Sequence, residues 1–428
     1  MQIVRNPSEK DWLSLCQRPQ EELEYLESGV RNILARVKNS GDRALQELTL
    51  QFDKATLTDL QVSDAEINNA EKALSDKLKS AIRLAAQNIR TFHASQKRDV
   101  SKIETTSGVT CWRKSVGIQK IGIYIPGGSA PLFSTVLMLG LPAQLAQCKE
   151  IVMCTPPDQS GQINPAILFA AKLTGIRKIF KVGGAQAIAA MAYGTESIPR
   201  VQKIFGPGNQ FVTKAKQMVA NEGVAIDLPA GPSEVLVLAD DSADASFVAA
   251  DLLSQAEHGP DSQVMLVVTT ESIIYKIQDE IKKQLISLPR KEIAEQALKN
   301  SCAIYFDSFN SAIAFIDEYA PEHLIINTVN ADELAEKISH AGSVFIGNYS
   351  PEAAGDYASG TNHTLPTNGF AKLYGGVSLE SFTKHITFQK ITSEGIKNLG
   401  PVIEEMAEAE NLIAHKRAVS IRLNQLKK

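Results

Sequence analysis

Apolar positions change their rhythm along this chain. Over roughly the first 110 residues they recur at helical spacing. "NPSEKDWLSL" opens with Ser8 as an N-cap and Asp11 at the third helical position. "DAEINNAEKALSDKLKSAIRLAAQNIRTFHASQ" carries an apolar stripe with charges between. This part is predicted to be mainly helical.

From about residue 117, short β-rich runs alternate with helix-length segments. The predicted strands are Ile118–Ile125, Glu150–Cys154, Lys178–Val182, Val201–Phe205, Val224–Asp227 and Val235–Ala239. Leu132–Ala146, Pro165–Leu173 and Phe211–Ala220 are predicted helices between them. A second series follows, with a helix at Ala245–His258 and strands at Val264–Thr269, Ala303–Phe306, Leu324–Asn327 and Ser343–Ile346. Such β-α-β alternation predicts an α/β protein with two Rossmann-like units built on parallel sheets, plus small helical N- and C-terminal parts. Residues 400–428 read as one further amphipathic helix. There is no clear internal repeat and no low-complexity segment.

Composition narrows the function. The 428 residues predict roughly two to four domains. With 44 basic against 48 acidic residues the formal charge is −4, which gives no pull towards nucleic acid or anionic membrane. A small-molecule substrate is expected. The opening Met1-Gln-Ile-Val-Arg has no signal-like apolar core. The most apolar stretch, near Val136–Ala146, is broken by Pro142 and too short to span a bilayer. Five cysteines (Cys16, Cys111, Cys148, Cys154, Cys302) are scattered without Cys-x-x-Cys spacing. They predict free thiols, a cytoplasmic location, and nitrogen and oxygen ligands for any metal.

Three glycine-rich turns follow predicted strands: "IYIPGGSAP", "VGGAQAIAA" and "FGPGNQF". In a parallel sheet all three fall at the carboxyl edge, where glycines and helix N-termini can accept a phosphate. None completes G-x-G-x-x-G, and ordinary tight turns would look the same. Elsewhere, "SQAEHGPDS" puts Gln255 and His258 three apart, on one helical face, before Gly259 and Pro260. That pattern fits a metal site or a histidine capping the carbonyl end of a helix. "APEHLIINT" sets Glu322 and His323 before an apolar strand, beside a bend expected at Pro321. A carboxylate and an imidazole there could move protons, or could form a solvated strand entrance. "AGDYASGTNHTLPT" reads as a polar loop holding Asp356 and His363. Glu410 and His415, five apart on the last helix, stand about 140° apart. There is no Ser-His-Asp order, G-x-S-x-G elbow, Walker loop or H-E-x-x-H.

Together these segments resemble the histidinol dehydrogenase family. The resemblance runs through "YIPGGSAPLFSTVLM", "VGGAQAIAA", "KIFGPGN", "DLPAGPSEV", "DLLSQAEHGPDSQV", "PEHLII", "GSVFIGNYSPEAAGDYASGTNHTLPT" and "AHK", most of the chain from about residue 110 onward. It implies a homodimer with one zinc per subunit that oxidises L-histidinol through L-histidinal to L-histidine. Two NAD are reduced, in the last steps of L-histidine biosynthesis. By the resemblance, Gln255, His258, Asp356 and His415 are zinc ligands, and Glu322 and His323 the proton-transfer pair. The zinc ligands and His323 also hold the substrate, with Ser233, Glu410 and His363. Tyr124, Gln186 and Asn209 contact NAD. It further implies that the C-terminal helix crosses to a partner subunit. The expected division is residues 1–20 as a helical segment, 21–118 with 236–375 as the catalytic and metal-bearing α/β domain, 119–235 as the NAD-binding domain, and 376–428 as a helical dimerisation segment. A zinc hydrolase, a non-catalytic sensor, or a dehydrogenase of another amino alcohol or sulfonated diol are the competing readings.

Overall fold

Two parallel sheets carry most of the buried apolar surface. The computed structural model describes residues 1–19, 23–127, 130–228 and 231–427, with the backbone alone for 23–25. The larger sheet has six strands, in the order Gln2–Arg5, Cys302–Tyr305, Gln263–Val268, Glu234–Ala239, His323–Asn327, Ser343–Ile346, all parallel. Its central strands Glu234–Ala239 and Gln263–Val268 are buried at every position. That is why they read as unbroken apolar runs: parallel sheets are covered on both faces.

The smaller parallel sheet has five strands, in the order Lys178–Lys181, Glu150–Thr155, Lys120–Tyr124, Lys203–Phe205, Ala225–Ile226. The first of these in the chain, Lys120–Tyr124, lies in the middle. The order of winding therefore reverses beside Tyr124, which makes that carboxyl end a topological switch point. Both predicted α/β units are present, and each expected strand lies within a residue or two of its observed place.

Several expectations need correction. The first 20 residues are not purely helical: Gln2–Arg5 is an edge strand of the six-stranded sheet, ahead of a helix at Glu9–Leu15. Four residues are too few to show a period. A third sheet, antiparallel and in the order Thr383–Ile391, Val109–Gly117, Lys102–Thr106, has no counterpart in the sequence reading. Its strands are largely exposed and rich in Lys and Thr, so no buried face marks them. The helix Phe133–Leu145 runs through Pro142 unbroken. The C-terminal part is a hairpin of two helices, Ser393–Ala409 and Ile413–Gln425, with Asn411 at φ +58° between them. The angle argued for Glu410 and His415 on one helix therefore lapses.

Core packing also groups the chain differently. The helices Leu23–Asp53, Asp64–Ala70 and Asp76–Ala94 pack against helices of the five-stranded unit. Leu26, Val30 and Leu45 share a core with Val152 and Ile188, and Ile82 and Ile89 share one with Ile121 and Met138. The six-stranded sheet is covered instead by Ala245–Ala256, Ser272–Leu285 and Phe309–Tyr319, with Trp12 on one face. Residues 23–94 thus belong with 120–226, not with 236–375. The expected boundary at 20/21 lies outside the described residues, as do Gly128 and Ser129 of the first glycine turn and Pro229 and Ala230 of "DLPAGPSEV".

Candidate active site

The site lies at the amino edge of the six-stranded sheet. There, strands begin and their first N–H groups are free to bind carboxylates. Helices running back between strands end there too, and their carbonyl ends favour cations. Glu234 and His323 are the first residues of adjacent strands. Ala320, at φ +50°, turns the chain sharply before Pro321, so Glu322 and His323 both point into the interior.

Glu322 is buried, and its Oε2 accepts the N–H of Glu234 at 2.9 Å. Burial pushes its carboxyl up to about 8. His323 Nδ1 lies 3.2 Å from the Glu234 carbonyl oxygen, to which it donates, and 3.7 Å from Glu322 Oε2. That bond fixes Nδ1 as a donor and leaves Nε2 as the ring atom that can exchange a proton. Nε2 is buried without a hydrogen-bond partner, 3.6 Å from Asp356 Oδ1. Burial alone would lower the imidazole's affinity for protons, but Glu352, Glu322 and Asp356 outweigh it and hold it up at about 10; a divalent cation on Asp356 would withdraw part of that support and free Nε2 to accept a proton.

Asp356 sits on a short helix, Glu352–Tyr357, and not in the expected polar loop. The helix starts at Pro351, a boundary signal the loop-like composition concealed. One turn back, Glu352 faces the same way, 1% exposed, with Oε1 3.8 Å from His323 Nδ1 and Oε2 unpartnered. Burial raises Glu352 to about 8. Burial would raise Asp356 too, but the charge of His323 beside it brings it below the ordinary carboxylate range. Sequence reasoning missed Glu352, although its i, i+4 spacing to Asp356 was available. It also missed Asp251, one turn before Gln255, whose burial lifts it to about 7.

Gln255 is fully buried near the end of the helix Ala245–Ala256, with Oε1 lacking any partner. Its Nε2 stands 3.4 Å from His258 Nδ1. Burial lowers His258, and the charge of Asp356 opposes this. A buried carbonyl oxygen without a donor, an imidazole whose burial keeps it neutral, and a low carboxylate make a donor set of nitrogen and oxygen that suits a divalent cation. Among the described residues, His323, Glu352 and Asp356 also bring ligand atoms within 4.8 Å of one another. That group shares only Asp356 with the expected ligands. His363 bridges the two units: Nδ1 donates to the Asp356 carbonyl at 2.9 Å, and Nε2 accepts from Thr135 Oγ1 at 3.0 Å. Ser233 is half-buried just before Glu234. Glu410 and His415 are exposed on this single chain, at the turn of the C-terminal hairpin.

Thr135 opens the helix that follows the first glycine turn, so this bond joins the site to the carboxyl edge of the five-stranded sheet. Tyr124 is buried there, and its hydroxyl accepts the N–H of Gly184 in the second turn at 3.0 Å. Gly206, in the third, has φ +127°; a Cβ on it would stand 2.0 Å from the Tyr124 carbonyl oxygen, so only glycine fits. Gln186 is buried in the helix Gly184–Tyr193, and Asn209 caps the helix Gln210–Ala220 through Val212 N–H at 3.1 Å. The three turns thus meet around Tyr124, an edge able to cradle a dinucleotide.

Two parallel sheets, with a buried carboxylate–imidazole cluster tied through His363 and Thr135 to a glycine-lined sheet edge, fit an α/β enzyme of the dehydrogenase kind. A family model described as histidinol dehydrogenase matches residues 16–423. Histidinol dehydrogenase of Bacteroides thetaiotaomicron is 59% identical over all of both chains, and that of Vibrio vulnificus (strain YJ016) 52% over 93% of this chain and 92% of its own. The crystal structure of histidinol dehydrogenase from Elizabethkingia anophelis superposes with a TM-score of 0.98 at 60% identity, covering 100% of this chain and 99% of that one. The chain belongs to the histidinol dehydrogenase family of NAD-dependent oxidoreductases.

Proposed function

We propose that the chain oxidises L-histidinol through L-histidinal to L-histidine, reducing two NAD in the final steps of L-histidine biosynthesis. The observation that carries this is the buried Glu322–His323 pair, with Nε2 unpartnered 3.6 Å from Asp356.

An alcohol proton is too weakly acidic to leave unaided at neutral pH. His323 Nε2 takes it as the carbon–hydrogen bond breaks and the carbonyl forms. Tyr124, Gln186 and Asn209 would hold NAD at the glycine turns, where its nicotinamide would supply the hydride acceptor. The aldehyde must then gain a water. Glu322, lifted towards neutrality by its burial, is poised to accept that water's proton and release it again. His323 gives its first proton to the carbonyl oxygen as water adds and is then free to take the hydrate's hydroxyl proton; a second NAD at the same turns would supply the second hydride acceptor. Gln255, His258, Asp356 and His415 of the partner subunit would hold zinc, which supplies a positive charge that grips the substrate's imidazole and amine nitrogens. Ser233, His363 and Glu410 of the partner subunit orient the same molecule.

A homodimer is supported by the C-terminal hairpin, which exposes Val402, Met406, Leu412, Ile413 and Ile421. Five free cysteines support a reducing cytoplasm, and no helix among the described residues is long and apolar enough to cross a membrane. The test is NADH yield per L-histidinol, with zinc content measured on the same sample. Two NADH and one zinc per chain are expected; one NADH, or none, refutes the four-electron reaction.

A further inference from the structure

Neither proton-transfer side chain is held by its own neighbours. Both are tied to the main chain of Glu234, whose N–H donates to Glu322 Oε2 at 2.9 Å and whose C=O accepts from His323 Nδ1 at 3.2 Å. The Glu234 side chain makes a separate set of bonds. Its carboxylate is fully buried and meets Arg18 in a two-pronged pair, Nε to Oε1 at 3.0 Å and Nη2 to Oε2 at 2.9 Å. Asn368 N–H donates to Oε1 at 2.6 Å. Arg18 is itself enclosed, with 5% of its side chain exposed. Its guanidinium lies 3.7 Å from the ring centre of Tyr319, and it donates to the carbonyls of Tyr319 and Cys16, each at 2.7 Å.

A buried ion pair is a poor way to gain stability, because desolvating two charges offsets most of their attraction. It is a good way to fix geometry. A guanidinium fork grips both carboxylate oxygens in one plane, which an ammonium cannot do. We propose that Arg18 and Glu234 are positioning residues: Arg18, from the N-terminal segment, clamps the Glu234 carboxylate and so fixes the one residue whose N–H and C=O aim Glu322 and His323. This rests on the reading of those two as the proton-transfer pair. The charge pair makes no contact with that pair through its side chains; it acts through the first residue of a strand. A rotation of that residue would swing both hydrogen bonds at once.

The test is Arg18→Lys, which keeps the charge and removes the fork. It lowers kcat with L-histidinol about ten- to a hundred-fold, the scale set by misplacing a reacting group by about an ångström. KM for NAD and zinc per chain stay at the wild-type values. In a Glu322→Gln/His323→Gln background nothing remains to be aimed, and the same substitution leaves the residual rate unchanged, so the effects are non-additive. If Arg18→Lys does not fold, Arg18→Met with Glu234→Gln replaces it. That pair leaves no buried charge unmatched and keeps an acceptor for Asn368, and it shows the same loss of kcat. Wild-type kcat in either folded variant, or an equal fall in both backgrounds, overturns the proposal. Failure of the underlying functional reading looks different: the unaltered protein would then yield no NADH from L-histidinol.

Discussion

Replacing Glu322 by Gln separates the two oxidations. Glu322 Oε2 accepts the Glu234 N–H at 2.9 Å, and a glutamine carbonyl oxygen of the same shape can accept it too. The backbone that holds His323 therefore stays in place, and His323 Nδ1 keeps its bond to the Glu234 carbonyl. What disappears is a carboxyl group that burial has lifted to about 8 and that can take a proton from water near neutral pH. General-base catalysis by such a group contributes about 10²- to 10⁴-fold, or about 3–5 kcal/mol of barrier. Only the aldehyde step needs water. Turnover of L-histidinal should fall by that factor, while alcohol oxidation, whose base is His323, changes by less than about ten-fold. Supplied with L-histidinol, the variant should release L-histidinal and give closer to one NADH than two. The assay follows NADH from each substrate separately, with L-histidinal trapped and counted. Unchanged L-histidinal oxidation, or an equal fall in both steps, refutes the assignment of water activation to Glu322.

His323→Ala should lower turnover about 10²- to 10⁴-fold while zinc per chain, read by metal analysis, stays intact; parallel loss of both would show that His323 serves the metal instead. Mixing His415→Ala and Glu322→Gln subunits should restore about a quarter of wild-type L-histidinal oxidation, the step each parent lacks, because half the dimers are mixed and each then has one complete site. No recovery after subunit exchange would place His415 outside a shared site. Asp251 has a carboxyl lifted to about 7 by burial, so the folded state binds its proton more tightly than the unfolded chain does. That contribution is fully present below the unfolded value and is lost as pH rises through about 7. Asp251→Asn should therefore gain stability over wild type, by about 2–3 kcal/mol more at pH 8 than at pH 5. Urea unfolding of the metal-free proteins at the two pH values checks this, and a pH-independent difference would contradict it.

The order of elements was legible because parallel strands buried on both faces leave runs such as "EVLVLA" and "QVMLVV", bounded by turn residues. Candidate site residues were legible where one short segment holds them: Gln255 with His258, Glu322 with His323, the three glycine turns. Other features were not. Gln2–Arg5 becomes a strand only because Cys302–Tyr305 lies ready to pair with it. The antiparallel sheet joins Val109–Gly117 to Thr383–Ile391 across a gap no local period spans. Glu352 carries no local mark in the sequence, and folding alone buries it against His323. Arg18 and Glu234, 216 positions apart, gave no signal at all. Local sequence determines propensity, period and turn, since these depend on neighbours along the chain. Burial, and with it every shifted proton affinity and unpartnered oxygen in the site, depends on what the rest of the chain packs around a group, and only the tertiary structure decides that.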